Sequence, residues 1–127
     1  MAMHEFLAQD RVIWGEPAQE ALLAEVERRA SSRVFIVTGK TLNRKTPLIG
    51  QLARALGARF VGCFDECVEH TPRRTVMEAA RAVRSASPDL IVTVGGGTAI
   101  DTVKVLLIAL AQGLEHEDEL KIGRAHV

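Results

Sequence analysis

The strongest constraint on how this chain can fold is the segment Arg33-Val34-Phe35-Ile36-Val37-Thr38, in which four consecutive apolar residues stand between polar ends. A strand with one wet face alternates apolar and polar residues. A continuous apolar run belongs to a strand covered on both faces, the habit of parallel sheets flanked by helices. Further short β-rich runs lie at Arg11–Trp14, Phe60–Phe64 and Leu90–Val94, and stretches of helical period separate them. Pro17–Arg29 places Ala18, Leu22 and Val26 on one face, and Pro47–Leu56 is closed by Gly57. Thr71 is expected to cap a third helix, with Pro72 at its first position and Val76, Ala79, Ala80 and Val83 inward. A fourth runs from Thr98 to Ala111. The order β-α-β-α-β-α-β-α predicts a single α/β domain built on a parallel sheet with flanking helices.

In such sheets a ligand binds at the carboxyl ends of the strands. That rule gathers the turns Thr38–Lys40, Glu69–Thr71 and Gly95–Thr98 on one rim. The last of these is chemically the most telling. Gly95, Gly96 and Gly97 carry no Cβ, so the backbone can bend freely and an anion can come close to its N–H groups. Thr98 is a natural N-cap, and Asp101, three residues on, completes a capping-box pattern. The positive end of the helix dipole points at the same turn. A plain, well-capped β–α connection would show these residues too. The dinucleotide pattern G-x-G-x-x-G fails because Ile100 stands at its third glycine, and the triphosphate loop G-x-x-x-x-G-K-T fails before Gly39-Lys40-Thr41 because Val34 stands at its first. Asp101 and Lys104 are three apart on one helix face, a spacing that also suits an ordinary ion pair.

Composition excludes several roles. Sixteen basic residues balance sixteen acidic ones, so no bulk charge recruits nucleic acid or an anionic membrane. No apolar run approaches the roughly 20 residues of a membrane span, and no basic stretch precedes an apolar one at the N-terminus. A cytoplasmic location is the expectation. Cys63, Cys67 and His70 offer too few ligands for a structural zinc site, and His116 lies in an acidic run read as a solvated loop.

The segment Gly95-Gly96-Gly97-Thr98-Ala99-Ile100-Asp101-Thr102-Val103-Lys104 resembles the G-G-G-S-x-x-D-x-x-K signature of the iron-containing alcohol dehydrogenase family, within the dehydroquinate-synthase-like superfamily. Thr98 replaces the usual serine and keeps the hydroxyl. The likeness extends to Arg11-Val12-Ile13-Trp14-Gly15, Val37-Thr38-Gly39-Lys40-Thr41-Leu42 and Thr71-Pro72, in the family's order. It implies a Rossmann-like parallel sheet with flanking helices, lacking the C-terminal helical metal-binding domain that family members carry. Residues 1–120 then form a truncated N-terminal dinucleotide-binding domain. The closing Ile122-Gly123-Arg124-Ala125-His126-Val127 resembles a translated sequencing adapter, so 121–127 are expected to be a non-native tail and are left out of the fold assignment.

The resemblance implies a parent enzyme that transfers hydride between NAD or NADP and a small alcohol/aldehyde pair, with Fe2+ or Zn2+ in the missing domain and a homo-oligomeric state. It assigns the pyrophosphate to Gly96, Gly97 and Thr98, the adenosine end to Thr38 and Gly39, a neighbouring contact to Thr71 and the nicotinamide side to Asp101, with Lys104 ordering the site; Gly95 and Lys40 complete the expected cofactor-binding set. No residue of this chain is assigned to catalysis or to the metal. NAD-preferring members commonly have aspartate where Gly39 stands; without it a 2′-phosphate is not repelled, and Lys40 or Arg44 could pair with it, which leans toward NADP. The chain alone is expected to be catalytically silent. A glycerol dehydrogenase, maleylacetate reductase or dehydroquinate synthase relative, or a free-standing nucleotide-binding module, are the alternatives. The last helix is expected to pack against the missing domain and to leave Leu106, Leu107 and Leu110 exposed in its absence.

Overall fold

The computed structural model describes residues 18–112 and 123–126. The expected strand at 11–14 and the acidic run with His116 lie outside these residues. The described elements are α1 (Ala18–Arg28), β1 (Val34–Thr38), α2 (Lys40–Lys45), α3 (Leu48–Leu56), a 3-10 turn (Gly57–Arg59), β2 (Phe60–Phe64), α4 (Arg73–Ala86), β3 (Leu90–Val94), α5 (Gly97–Gln112) and β4 (Gly123–His126). The short α2 is an addition to the sequence-based expectation. It stops at Thr46, whose extended backbone (φ −132°, ψ 157°) is what a following proline imposes, here Pro47.

All strand pairings are parallel, in the order β2-β1-β3-β4. Every residue of β1 and β3 is buried, as the apolar runs required. Alternate side chains feed two cores. Val34 and Ile36 join Leu90, Val92 and Val94 beneath α1 and α3, where Leu22, Val26, Ile49 and Leu52 meet them. Phe35, Val37 and Ile91 face the opposite layer, built from Ala79, Ala80 and Val83 of α4 and Val103, Leu106, Leu107 and Leu110 of α5. This is the doubly wound α/β arrangement.

One expectation is corrected here. Leu106, Leu107 and Leu110 are 0%, 2% and 4% exposed, because a helix with residues 103, 106, 107 and 110 on one face turns that face to the sheet. The apolar surface left open is instead Val105 and Ile108 of α5 with Met77 of α4. The closing segment, left out of the fold assignment from sequence, does take a place in the sheet. Gly123–His126 pairs with β3 from Leu90↔Gly123 to Thr93↔His126, Ala125 is buried, and Arg29 donates from Nη2 to the Arg124 carbonyl at 3.1 Å. The backbone groups on that side of β3 need partners, and this segment supplies them.

At the base of α1, Glu25 is 1% exposed and receives Arg28 Nη2 at 2.6 Å and Arg29 Nε at 2.5 Å. Burial on its own would raise the Glu25 pKa, but the hydrogen bonds from Arg28 and Arg29 together outweigh it and hold the carboxyl below its ordinary value.

Candidate functional site

From β1 the chain first goes to β2 on one side and then returns past β1 to β3 on the other. The direction of winding therefore reverses between β1 and β3, and a crevice opens at their carboxyl ends. Thr38 forms its floor. This residue is fully buried, and its Oγ1 donates to the Val94 carbonyl at 2.8 Å, locking the two strand ends together. Thr38, which the resemblance assigns to the adenosine end, is placed as a buried support beneath the crevice.

The glycine turn forms one lip. Gly95 has φ +121°, a backbone state that L side chains rarely adopt, and a Cβ there would also meet Leu42 Cδ2 at 3.4 Å. Gly96 and Gly97 differ: a Cβ on either would meet nothing within 4 Å. Helix α5 begins at Gly97, with the Ile100 N–H donating to the Gly96 carbonyl at 3.3 Å. The first N–H groups of any α-helix lack an intrahelical partner, and the capping position here falls at Gly96, which has no side chain to accept from them. Thr98 sits one step inside the helix instead of capping it, and its carbonyl accepts from Thr102 Oγ1 at 2.8 Å.

The crevice is a cavity of about 390 Å³. Gly95, Gly96 and Thr98 line it from the glycine turn, Gly39, Lys40, Thr41 and Leu42 from the β1 exit, and Cys67, Val68 and Glu69 from the segment after β2. Five residues picked out from sequence as site residues thus converge there: Gly39, Lys40, Gly95, Gly96 and Thr98. Thr71 does not join them. It lines a separate groove of about 540 Å³ between α4 and α5, with Met77, Val105 and Ile108. Thr71 also does not cap α4: Pro72 takes that position, and His70 and Thr71 form a turn with φ +67° and +45°. Asp101 and Lys104 are exposed along α5, outside the cavity wall, and make no ion pair with each other among the described residues.

From Lys40, which lines the cavity, a charged cluster extends outward to Arg44, Asp65 and Glu66. Lys40 Nζ lies 2.9 Å from Glu66 Oε2. Arg44 donates to Asp65 Oδ2 at 2.9 Å, to Asp65 Oδ1 at 3.2 Å and to Glu66 Oε1 at 2.8 Å, and Asn43 Nδ2 donates to Asp65 Oδ2 at 2.8 Å. Asp65 and Glu66 leave β2 and were not picked out from sequence, because nothing local marks them as neighbours of Lys40 and Arg44. The hydrogen bond from Arg44 and then that from Asn43 hold the Asp65 carboxyl below its usual range; the hydrogen bond from Lys40 does the same for Glu66. Burial pushes the Cys63 thiol up to about 12 and raises that of Cys67, so both are protonated at neutral pH and neither is poised as a nucleophile. Among the described residues no three His, Cys, Asp or Glu side chains converge to hold a metal.

Fold and crevice together define a doubly wound α/β protein with a glycine turn at its switch point. The chain belongs to the iron-containing alcohol dehydrogenase family: the family model of that description matches residues 9–126. Maleylacetate reductase 2 of Cupriavidus pinatubonensis is 36% identical over 110 residues, covering 84% of this chain and 30% of that protein. Dehydrogenase FUM7 of Gibberella moniliformis is 33% identical over 113 residues, 86% of this chain and 26% of that protein. Among solved structures, the iron-containing alcohol dehydrogenase of Corynebacterium glutamicum superposes with a TM-score of 0.64 at 29% identity, over 80% of this chain and 28% of the other. The chain therefore spans less than a third of the length of these relatives. No helix among the described residues is long and apolar enough to cross a membrane.

Proposed function

We propose that this chain is the nucleotide-binding portion of an NAD(P)-dependent oxidoreductase of the family, with the pyrophosphate at the Gly95–Thr98 turn and the adenosine end beside Gly39 and Lys40. One observation carries the reading. Helix α5 begins at Gly97, immediately after the Gly95 and Gly96 that line the crevice, and a Cβ on Gly96 or Gly97 would meet nothing within 4 Å. Unpaired N–H donors and the positive helix end stabilise phosphate, and bare backbone lets it approach. The cavity volume of about 390 Å³ falls in the range of small-molecule sites.

Each residue then has a distinct task. Gly95 makes the bend, Thr38 fixes the floor, Gly96 and Gly97 offer N–H groups, and Thr98 and Lys40 line the cavity with a hydroxyl and an ammonium. Asp101, exposed on α5, is proposed for the nicotinamide side, and Lys104, exposed on the same helix, for ordering the site. When bound, the nicotinamide donates or accepts the hydride. A divalent iron or zinc would be held outside the described residues, which is why the chain by itself is expected to bind nucleotide without turnover. For the complete enzyme the substrate is proposed to be a small alcohol or aldehyde. The relatives named maleylacetate reductase favour a second reading, in which the substrate is maleylacetate.

The test is a titration of the 127-residue chain with NADH and NADPH, followed by nicotinamide fluorescence and repeated on Gly96→Ala. Binding that weakens at least about tenfold in a variant of unchanged Tm supports the reading. Binding that survives the added methyl, or no binding by the parent chain at millimolar ligand, overturns it.

A further inference from the structure

We infer that Glu66 is a specificity-determining residue on the adenosine side of the crevice: its carboxylate occupies the anion position between Lys40 and Arg44 and competes there with the 2′-phosphate of NADP. This rests on the nucleotide reading above. Lys40 and Arg44 stand one turn apart on α2, and a single carboxylate, arriving from the exit of the neighbouring strand β2, meets both at 2.9 and 2.8 Å. A place where one anion bridges an ammonium and a guanidinium is chemically a phosphate-monoester site filled by a residue of the protein itself.

The two carboxylates at this exit have different roles. Asp65 is 15% exposed and held by three hydrogen bonds, two from the Arg44 fork and one from Asn43. It fixes the direction of Arg44 and is not easily moved. Glu66 is 42% exposed and has one contact with each cation. Exposed pairs of this kind are weak and salt-sensitive, so a phosphate carrying about −1.5 to −2 charges can displace it. Displacement leaves a carboxylate within reach of the same two cations, which still repels the incoming phosphate. Glu66 thereby offsets the permissiveness that Gly39 confers and narrows the difference between NADP and NAD. An unphosphorylated ribose has no such competitor.

Dissociation constants for NADPH and NADH, measured on the 127-residue chain and on Glu66→Gln, decide the matter. The expected result is a shift of about tenfold in the NADPH/NADH ratio toward NADPH, with NADH changed less than about twofold, and a shift that fades in about 0.5 M salt. Lys40→Gln should move the ratio several-fold the other way at unchanged Tm. If Glu66→Gln leaves the ratio where it was, or tightens both nucleotides alike, the assignment is wrong. If the parent chain binds NADH but not NADPH and Glu66→Gln does not restore NADPH, Glu66 is not the discriminating group, while the nucleotide reading stands. Failure of the parent chain to bind either nucleotide overturns both.

Discussion

The two lips of the crevice are built by different means. On the β3 side the surface is backbone: Gly95, Gly96 and Gly97 present no side chains, and what they offer a ligand is N–H groups and the end of a helix. On the β1 and β2 side the surface is charge, Lys40 and Arg44 matched to Glu66 and Asp65. Backbone groups cannot be exchanged by mutation and suit the part of a ligand that never varies. Side-chain charges can be retuned one at a time and suit the part that distinguishes one ligand from another.

That contrast can be broken most severely at the bend itself. Gly95→Ala forces an L side chain to φ +121° against Leu42, and it is expected to lower stability by about 1–3 kcal/mol in urea unfolding, with loss of the crevice. Thr38→Val keeps the volume but leaves the buried Val94 carbonyl without its 2.8 Å donor. A destabilisation of about 1–2 kcal/mol is expected, felt equally by NADH and NADPH because both lips shift. Gly96→Ala sharpens the comparison from the other direction: stability within about 0.5 kcal/mol of the parent, with nucleotide affinity reduced about tenfold. A stability loss as large as that of Gly95→Ala would show that the residue is structural.

Acid acts chiefly on the charged lip. The folded pKa values of Asp65 and Glu66 lie below their unfolded values, so their ion pairs stabilise the fold above about pH 4 and this contribution is lost as pH falls through the lowered values. Between pH 7 and pH 3, Asp65→Asn should flatten the decline in Tm by roughly a few degrees. An identical decline in parent and variant would mean that Asp65 takes no part in the acid response, which then falls to other carboxylates such as Glu66 and Glu25, whose pKa values are lowered as well.

Much of this molecule is legible in its sequence because its two central strands are apolar throughout and its helices keep strict faces. Periodicity identifies which residues share a face. It does not say what covers that face, and this is why Leu106, Leu107 and Leu110 are buried by the sheet where an absent domain was expected to meet them. β4 has no apolar pattern in Gly-Arg-Ala-His; its place follows from the pairing needs of β3. At the site, the glycine turn is contiguous and readable, whereas the partnership of Glu66 with Arg44 joins residues 22 positions apart through the sheet. The inward aim of the Thr38 hydroxyl likewise depends on a strand that returns 56 residues later.

The pairing of Gly123–His126 with β3 also governs how the protein behaves in company with its own copies. Removing those four residues would turn Leu90-Ile91-Val92-Thr93-Val94, an interior strand without a charge or a proline, into the border of the sheet. A bare border of that composition is a template for the same segment of another molecule. The last described strand therefore acts as a guard against self-association, whatever else its four residues contribute.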